Sequence, residues 1–481
     1  MNDHPDRSNA TTAAEEGESA ADVRDSSIGT GESRTGATSV SDAATPPGPD
    51  GIPLLGNVHQ LFHNPLGFLD LLAGHGDVVG YHMGPVRFTA LFHPDHVERV
   101  LVSESDRFRQ YNFENFGTEF APEGLLMSRD EQWRRQRELL QPAFAPAKLS
   151  AFSESIVELA AETVDRWDDG EVIVATREFS ELTLSILTKT LFDLEMDERR
   201  DVVRAATRRL QTLADVRRPT AMLPVWLPTP AQLRFRRSMS RFDDLVETLI
   251  AERRQQAPDR PDLLSTMLAA AADDESGWTD REIRDNLLTF LFAGHETTAL
   301  ALAYTATLLA SHADERERLE AELASELDGD PTTEALTALE YTDRVLDESL
   351  RLYPPSYILV REAREDVHVE GYLIPEGTKV TMPQYAIHRD ERWYDDPERF
   401  DPDRWADERA AERPEYAFFP FGGGPRHCVG MRFARMELQL VLATVARRVR
   451  FEAVGDPEPE LAPAATLTPA EDVRLRVRKR S

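Results

Sequence analysis

Apolar residues recur with helical spacing over most of the chain and with strand-like alternation over a few short stretches. Helical periodicity is found before residue 260 in five segments, 129–140, 149–167, 178–192, 198–214 and 239–255. Between residues 77 and 92, β-branched and aromatic residues flank a Gly-Pro turn, which predicts a hairpin. Residues 367–374 and 377–382 add short strands. The pattern predicts a mainly α fold with a small β lobe, in the α+β class.

The longest predicted helix covers residues 279–311, with Thr279 as its N-cap. At 1.5 Å per residue it would be about 50 Å long, enough to cross a whole domain. Its middle is apolar on nearly every side, so we expect it to run through the core. Four prolines interrupt residues 219–230, which predicts a loop that acts as a mobile lid. A later helix should end before Pro354 and Pro355.

The first 45 residues hold very few large apolar side chains, so we predict a disordered acidic tail over 1–45. The remaining residues, 46–481, contain no linker and no repeat, and we expect a single catalytic domain. The chain shows neither a signal peptide nor a run of 18 apolar residues. These features predict a cytoplasmic protein with no transmembrane segment.

The formal net charge is -31, from 55 Lys and Arg against 86 Asp and Glu. Such a field disfavours binding to nucleic acid or to an anionic membrane surface. Lysine occurs at only four positions, whereas arginine and acidic residues are plentiful. A surface covered with carboxylates stays hydrated in salt, which screens its self-repulsion. The composition therefore indicates a halophilic source, such as a halophilic archaeon.

Cys428 is the single cysteine, and it lies in FGGGPRHCVG where a tight loop enters a predicted helix over 431–449. It is a core residue, a nucleophile or a lone metal ligand. The helix start should favour its thiolate over its thiol. A nucleophile needs a base, but the neighbouring His427 should point away from it. A metal held by one thiolate, with its other ligands supplied from outside the protein, means haem.

Three further motifs are ambiguous on their own. In AGHETT, Gly294, Glu296 and Thr297 are unfavourable within a buried helix, and an acid beside a hydroxyl can pass protons into space left by the glycine. The other explanation is a kink whose polar groups satisfy one another. Glu348 and Arg351 have the spacing of an ordinary surface ion pair. Trp133 and Arg137 lie one turn apart, as in a ring stacked on a guanidinium.

The pattern Phe421-x-x-Gly424-x-Arg426-x-Cys428-x-Gly430 resembles the haem-binding loop of the cytochrome P450 family. The other three motifs follow that family's order, and the resemblance extends from Pro46 to the C-terminus. It implies the cytochrome P450 fold, a triangular helical domain with haem b between a long central helix and the Cys-bearing loop.

The resemblance also implies a role for each matching residue. Cys428 would ligate the iron, and the loop around it is Phe421, Gly422 and Gly424. The haem propionates would be held by Trp133, Arg137, Arg426 and Arg361. On the other face of the haem, Thr297 would bind dioxygen, Glu296 would relay protons, and Ala293 and Gly294 would line the oxygen pocket. A structural triad would comprise Glu348, Arg351 and Arg404, the last chosen over Arg399.

The family's activity implies a haem-thiolate monooxygenase that hydroxylates an apolar small molecule such as a fatty acid, a terpenoid or a similar lipid. Its two electrons would come from a separate ferredoxin or flavodoxin-type donor with a reductase, and the enzyme would be a monomer. We expect a basic dock for the donor at Arg432, Arg435, Arg447 and Arg448. The substrate pocket should be walled by residues 109–126, the prolines between residues 210 and 235, and residues 287–293, 356–360 and 465–468. Peroxide-driven oxidation or isomerisation, and a non-catalytic haem sensor or carrier, remain alternatives.

Overall fold

The structure is a computed structural model that describes residues 44–111, 121–194, 199–214, 229–255, 262–273, 277–456 and 458–480. Residues 43–481 belong to one compact unit. The tail expected over residues 1–45 lies, up to residue 43, outside the described residues. Most of the lid expected over 219–230 lies outside them as well.

Helices make up most of the described chain. In chain order they are α1 (Val58–His63), α2 (Pro65–Ala73), α3 (Pro94–Glu98), α4 (Asp130–Leu140), α5 (Pro146–Leu149), α6 (Ser153–Asp165), α7 (Ala175–Phe192), α8 (Arg200–Ala214), α9 (Pro230–Gln255), α10 (Leu263–Ala272), α11 (Asp280–Ser311), α12 (Ala313–Glu326), α13 (Glu340–Leu352), α14 (Gln384–Ile387), α15 (Asp407–Ala410) and α16 (Met431–Arg448).

Twelve strands occur in the described residues, all of them short. They are β1 (Val78–Met83), β2 (Val86–Leu91), β3 (Phe108–Gln110), β4 (Val172–Val174), β5 (Leu359–Ala363), β6 (Val367–Val369), β7 (Tyr372–Ile374), β8 (Lys379–Met382), β9 (Val449–Ala453), β10 (Leu461–Pro463), β11 (Leu467–Pro469) and β12 (Arg474–Lys479). The largest sheet has the order β1-β2-β8-β5-β3, in which β2 and β8 pair in parallel and the other neighbours are antiparallel.

The other strands form small units. β4, β12 and β9 make a three-stranded sheet, while β6 with β7 and β10 with β11 make hairpins. This architecture confirms the prediction of a mainly helical protein with a small β lobe. The expected hairpin over 77–92 is β1 and β2, with Val78 opposite Leu91.

The long helix α11 begins where its capping signal predicts. The Thr279 hydroxyl accepts a hydrogen bond from the Glu282 backbone N–H, and the Glu282 carboxylate accepts one from the Thr279 N–H. The residues of α11 from Asn286 to Phe292 and from Thr298 to Leu309 are all buried. The helix packs against α7, α13 and α16 in the main apolar core. It therefore runs through the molecule as predicted, and its partly exposed turn lies between two fully buried stretches.

Candidate active site

The loop before α16 owes its shape to two glycines with left-handed backbone geometry. Gly422 has a φ of +72° and Gly424 a φ of +61°. A Cβ added to Gly424 would lie 1.7 Å from the carbonyl oxygen of Leu101, so the loop packs directly on that backbone. After one turn of 3-10 helix, Gly424–Arg426, the chain reaches Cys428. The Cys428 N–H donates a hydrogen bond to the Phe421 carbonyl oxygen over 2.9 Å, which closes the loop.

The Cys428 side chain is accessible, yet protein surrounds it closely enough to change its acidity. Burial raises the pKa of the thiol, and the Gly430 N–H and the charge of Arg137 oppose this only in part. The expectation that the helix start favours the thiolate is therefore wrong, because desolvation outweighs the helix terminus. An accessible thiol that is closely surrounded by protein suits a ligand for a bound group.

His427 does not act as a base for Cys428. Its Nδ1 lies 2.8 Å from the Gly424 carbonyl oxygen, and its Nε2 lies 3.0 Å from Nη2 of Arg137. Arg137 also donates to the His427 carbonyl oxygen over 2.9 Å. One ring nitrogen is thus engaged within the loop and the other with Arg137 of α4, so the nucleophile interpretation of Cys428 has no support here.

Three arginines lie near the loop without a carboxylate partner among the described residues. Arg361 donates to Gln110 and to the Val360 carbonyl, Arg426 donates to the Ser128 carbonyl, and Arg137 bonds within the loop. Burial lowers the pKa of Arg361 to about 10.

Arg426 and Arg361 are close neighbours. The pKa of Arg426 is lowered to about 9, first by burial and then by the charge of Arg361. Two desolvated cations that repel each other, with no paired acid, form a site for a bound anion. A haem carries two carboxylates, so an accessible thiol and these arginines fit that cofactor.

Trp133 takes a different partner from the one expected. Its ring lies under the guanidinium of Arg426, with 4.5 Å from Cζ to the ring centroid. The residue one turn along α4, Arg137, instead turns to His427. The predicted stack exists, but its cation comes from the cysteine loop.

Within α11, residues Ala293, Gly294, Glu296 and Thr297 are partly accessible although the helix is buried before and after them. The Thr297 hydroxyl donates to the Ala293 carbonyl oxygen over 2.7 Å. The neighbouring Thr298 is buried and donates to the Gly294 carbonyl over 2.9 Å. Thr297 therefore faces an accessible space, and Thr298 faces the core.

Gly294 packs closely against α7. A Cβ at this position would lie 2.8 Å from Cδ1 of Leu187 on α7. The missing side chain thus lets α11 approach α7 closely. Gly294 is also partly accessible, so its place in the wall of an oxygen pocket stays a prediction.

Glu296 has an acidity suited to proton transfer near neutral pH. Burial raises the pKa of its carboxyl to about 7, while a hydrogen bond from Gln211 and the charge of Arg208 lower it. Nε2 of Gln211 lies 3.3 Å from Oε1 of Glu296 and 2.8 Å from the Thr466 hydroxyl. The hydrogen bonds that join Gln211 to Glu296 and to Thr466 could not be identified from the sequence, although Thr466 lies in the expected pocket wall 465–468, since no local motif marks contacts between residues so far apart.

The structural triad assembles in the fully buried interior. Oε1 of Glu348 accepts from Nη2 of Arg351 over 2.8 Å and from Nε of Arg404 over 3.0 Å. Arg399, the other candidate, contributes its carbonyl oxygen, which accepts from both arginines. Arg404 thus lies where the sequence analysis put it.

Two of the four arginines of the expected basic dock are paired with acidic residues. Arg435 pairs with Asp343 and Asp347 at 3.0 and 2.6 Å. Arg448 pairs with Asp330 at 2.8 Å. The exposed Arg432 has no such pair among the described residues.

Some of the expected pocket walls are in place. Leu359 lies beside the cysteine loop, because a Cβ at Gly422 would be 3.5 Å from its Cδ1. Thr466 reaches α8 through Gln211. Residues 112–120 and 215–228, parts of two further walls, lie outside the described residues. Among the helices of the described ranges, none combines the length and the apolar character that crossing a membrane requires.

Comparison with known proteins gives a consistent result. A family model described as Cytochrome P450 matches residues 46–477. Cyclooctat-9-en-7-ol 5-monooxygenase of Streptomyces melanosporofaciens is 35% identical over 84% of this chain and 89% of its own. Pentalenene oxygenase of Streptomyces avermitilis is 34% identical over 91% of this chain and 97% of its own. A solved structure, retinoic acid bound cyanobacterial CYP120A1, covers 91% of this chain and 99% of its own with a TM-score of 0.82 and 25% identity.

Proposed function

The chain belongs to the cytochrome P450 family and is a P450 monooxygenase, and from this premise we propose that it hydroxylates a terpenoid or a similar apolar lipid. One atom of dioxygen would enter a substrate C–H bond, and the other would leave as water with two electrons and two protons. The observation that carries the proposal is the partly accessible turn of α11, in which Glu296 and Thr297 interrupt a buried apolar helix.

The haem required by this family would be haem b, ligated by Cys428. Arg361 and Arg426 would pair with its two carboxylates, since both are desolvated and lack an acidic partner among the described residues. Arg137 and Trp133 would support that contact through the loop and through Arg426. Phe421, Gly422 and Gly424 would shape the loop around the sulfur. When bound, the haem supplies the redox chemistry that activates dioxygen.

The protein's own residues would manage protons on the opposite side. The Thr297 hydroxyl is partly accessible and bonded to the Ala293 carbonyl, so it can turn to a reacting oxygen while its helix stays fixed. Glu296 has a pKa of about 7, so near neutral pH it can both hold and release a proton. Thr297 would orient the oxygen and Glu296 would supply the proton.

The substrate class rests on the relatives. The names of the two Streptomyces enzymes specify the terpenoids cyclooctat-9-en-7-ol and pentalenene, and the cyanobacterial structure holds retinoic acid. All three have a largely apolar isoprenoid skeleton, so the proposed substrate class narrows from lipids in general to terpenoids.

The remaining parts of the proposal concern the setting of the enzyme. It would act as a cytoplasmic monomer, with electrons from a separate ferredoxin or flavodoxin-type donor and its reductase. The charge of -31 and the scarcity of lysine support a halophilic source.

The test is turnover of pentalenene in isotopically labelled dioxygen with a ferredoxin and reductase, and with cyclooctat-9-en-7-ol and a fatty acid as further substrates. A terpenoid product with one labelled oxygen atom is expected. Thr297→Ala should lower the amount of product formed per electron pair about tenfold or more. The control is Thr298→Ala, which removes a buried hydroxyl on the same turn and should leave this ratio near the wild-type value. Oxidation of the fatty acid alone would contradict the substrate class, and equal coupling in both variants would contradict the role of Thr297.

A further inference from the structure

The side-chain amide of Gln211 joins three elements around the Glu296 carboxyl. Its Nε2 donates to the Thr466 hydroxyl, 2.8 Å away in the turn between β10 and β11, and to Oε1 of Glu296 on α11, 3.3 Å away. Gln211 itself lies three residues before the end of α8. One amide thus ties α8 to the proton-carrying turn and to the turn before β11.

The other atom of this amide, Oε1, is buried and has no hydrogen-bond partner among the described residues. Leaving a buried amide oxygen unpaired is unfavourable. Rotating the amide by half a turn would exchange its oxygen and its nitrogen. Oε1 could then accept from the Thr466 hydroxyl and from a protonated Glu296, since a carboxylic acid donates one hydrogen bond. Gln211 can therefore bond to Glu296 in either of its charge states.

We propose that Gln211 is a positioning residue for the proton-carrying carboxyl of Glu296, which it holds through its NH₂ group when the carboxylate is ionised and through its oxygen when the acid is protonated. This inference rests on the proposed function, because it concerns the same acid. Gln211 touches no reacting atom. It acts by fixing the direction and the acidity of Glu296.

Among the side chains around Glu296, the uncharged Gln211 has the largest effect on the pKa of its carboxyl. From α8, the charge of Arg208 lowers the pKa of Glu296, but by less than the hydrogen bond of Gln211 does. From α11, Nε2 of His295 lies 3.9 Å from Oε2, and burial lowers the pKa of that imidazole to about 4, so it is neutral at physiological pH. Tyr304, also on α11, has a pKa raised well above its ordinary value and stays neutral too.

The direction of the effect follows from the relative strength of the two hydrogen bonds. A bond from an amide N–H to a carboxylate is assisted by charge and is stronger than one from a neutral acid to an amide oxygen. Removing Gln211 therefore costs the ionised form more than the neutral form. The pKa of Glu296 should rise further, and the acid should stay protonated to a higher pH.

The experiment is a pH titration of the ferric holoenzyme by infrared difference spectroscopy. The carboxylic acid C=O band of Glu296 is identified by its loss in Glu296→Gln. Its midpoint should lie near 7 in the wild type and about one pH unit higher in Gln211→Leu. Thr212→Val is the matched control, because this neighbouring α8 hydroxyl bonds to its own helix at the Arg208 carbonyl, and its midpoint should equal that of the wild type.

A second readout is the pH profile of product formed per electron pair, whose alkaline limit should move upward in Gln211→Leu. Gln211→Met, which keeps the length of the side chain, repeats the test should the leucine variant fail to fold. An unchanged midpoint in a folded variant would overturn the inference, even if the enzyme hydroxylates terpenoids. A shifted midpoint without any hydroxylation would support the positioning role and would contradict only the proposed function.

Discussion

Replacing Glu348 with glutamine should destabilise the protein severely, because this carboxylate neutralises two buried cations. Glu348, Arg351 and Arg404 are at most 2% exposed. The carboxylate accepts five hydrogen bonds, two from Arg351 and one each from Arg404, Asp401 and Trp405. Glu348→Gln keeps the shape of the side chain but removes its charge, which leaves both guanidinium groups in the interior without a counterion.

Breaking a buried ion pair by removing one partner costs about 3–5 kcal/mol. The matched control on the same helix is Glu340→Gln, which breaks the exposed pair with Arg344, 3.4 Å apart. An exposed pair of this kind contributes at most about 1 kcal/mol. Of the two changes to α13, only the buried one should therefore alter stability strongly.

The assay is urea unfolding of the holoprotein followed by far-ultraviolet circular dichroism at low and at high salt. The deficit of Glu348→Gln should persist at about 1 M salt, where exposed pairs are screened within about 3 Å. The small effect of Glu340→Gln should vanish there. If the two variants unfold at the same urea concentration, or if salt removes the deficit of Glu348→Gln, the triad does not stabilise this interior.

Three further predictions concern the site. Gly424→Ala should abolish haem incorporation, measured as haem per protein, because its Cβ would overlap a backbone carbonyl, and retained haem would refute this. Gly371→Ala, with a φ of +81° and no atom of the described residues within 4 Å of an added Cβ, should cost only about 1 kcal/mol and retain haem. The double variant Arg361→Gln and Arg426→Gln should retain haem about tenfold less well than the wild type when haem transfers to apomyoglobin. If the double variant retains haem as well as the wild type does, the two arginines do not pair with the haem carboxylates. Because the raised pKa of Glu296 penalises its ionisation, raising the pH from 4.5 to about 7 should cost the wild type up to about 3 kcal/mol more stability than it costs Glu296→Gln, as measured by urea unfolding. Equal pH profiles of the two proteins would contradict the raised pKa.

The boundaries of the main elements follow from local signals, and this is why they could be predicted. The Thr279 cap and the proline pair after α13 act within a few residues of the helix ends that they define. Cys428 is recognisable because glycines and a helix start surround it in sequence.

Residues defined by distant contacts could not be found in this way. Glu348 and Arg351 have the same spacing as Glu131 and Arg134, which form an exposed surface pair at 3.2 Å. Only burial and the arrival of Arg404 distinguish the first pair from the second. Gln211 is likewise an ordinary polar residue of an amphipathic helix until the fold brings it to Glu296.

The sequence also does not determine which neighbours a residue meets in the folded protein. The glycine at position 294 is unusual in a buried helix, and the sequence does not show that Leu187 on α7 lies against it. The pKa of Cys428 depends in the same way on how much protein surrounds the thiol. Burial raises this pKa by more than the helix terminus, which the local sequence indicates, lowers it.

The central claim, that Cys428 ligates haem iron in a monooxygenase site, is tested most directly by the carbon monoxide difference spectrum of the reduced protein. The account predicts the red-shifted Soret band of a thiolate-ligated haem in the wild type and its absence in Cys428→His that still binds haem. A wild-type spectrum without that band, or the same band in Cys428→His, would contradict it.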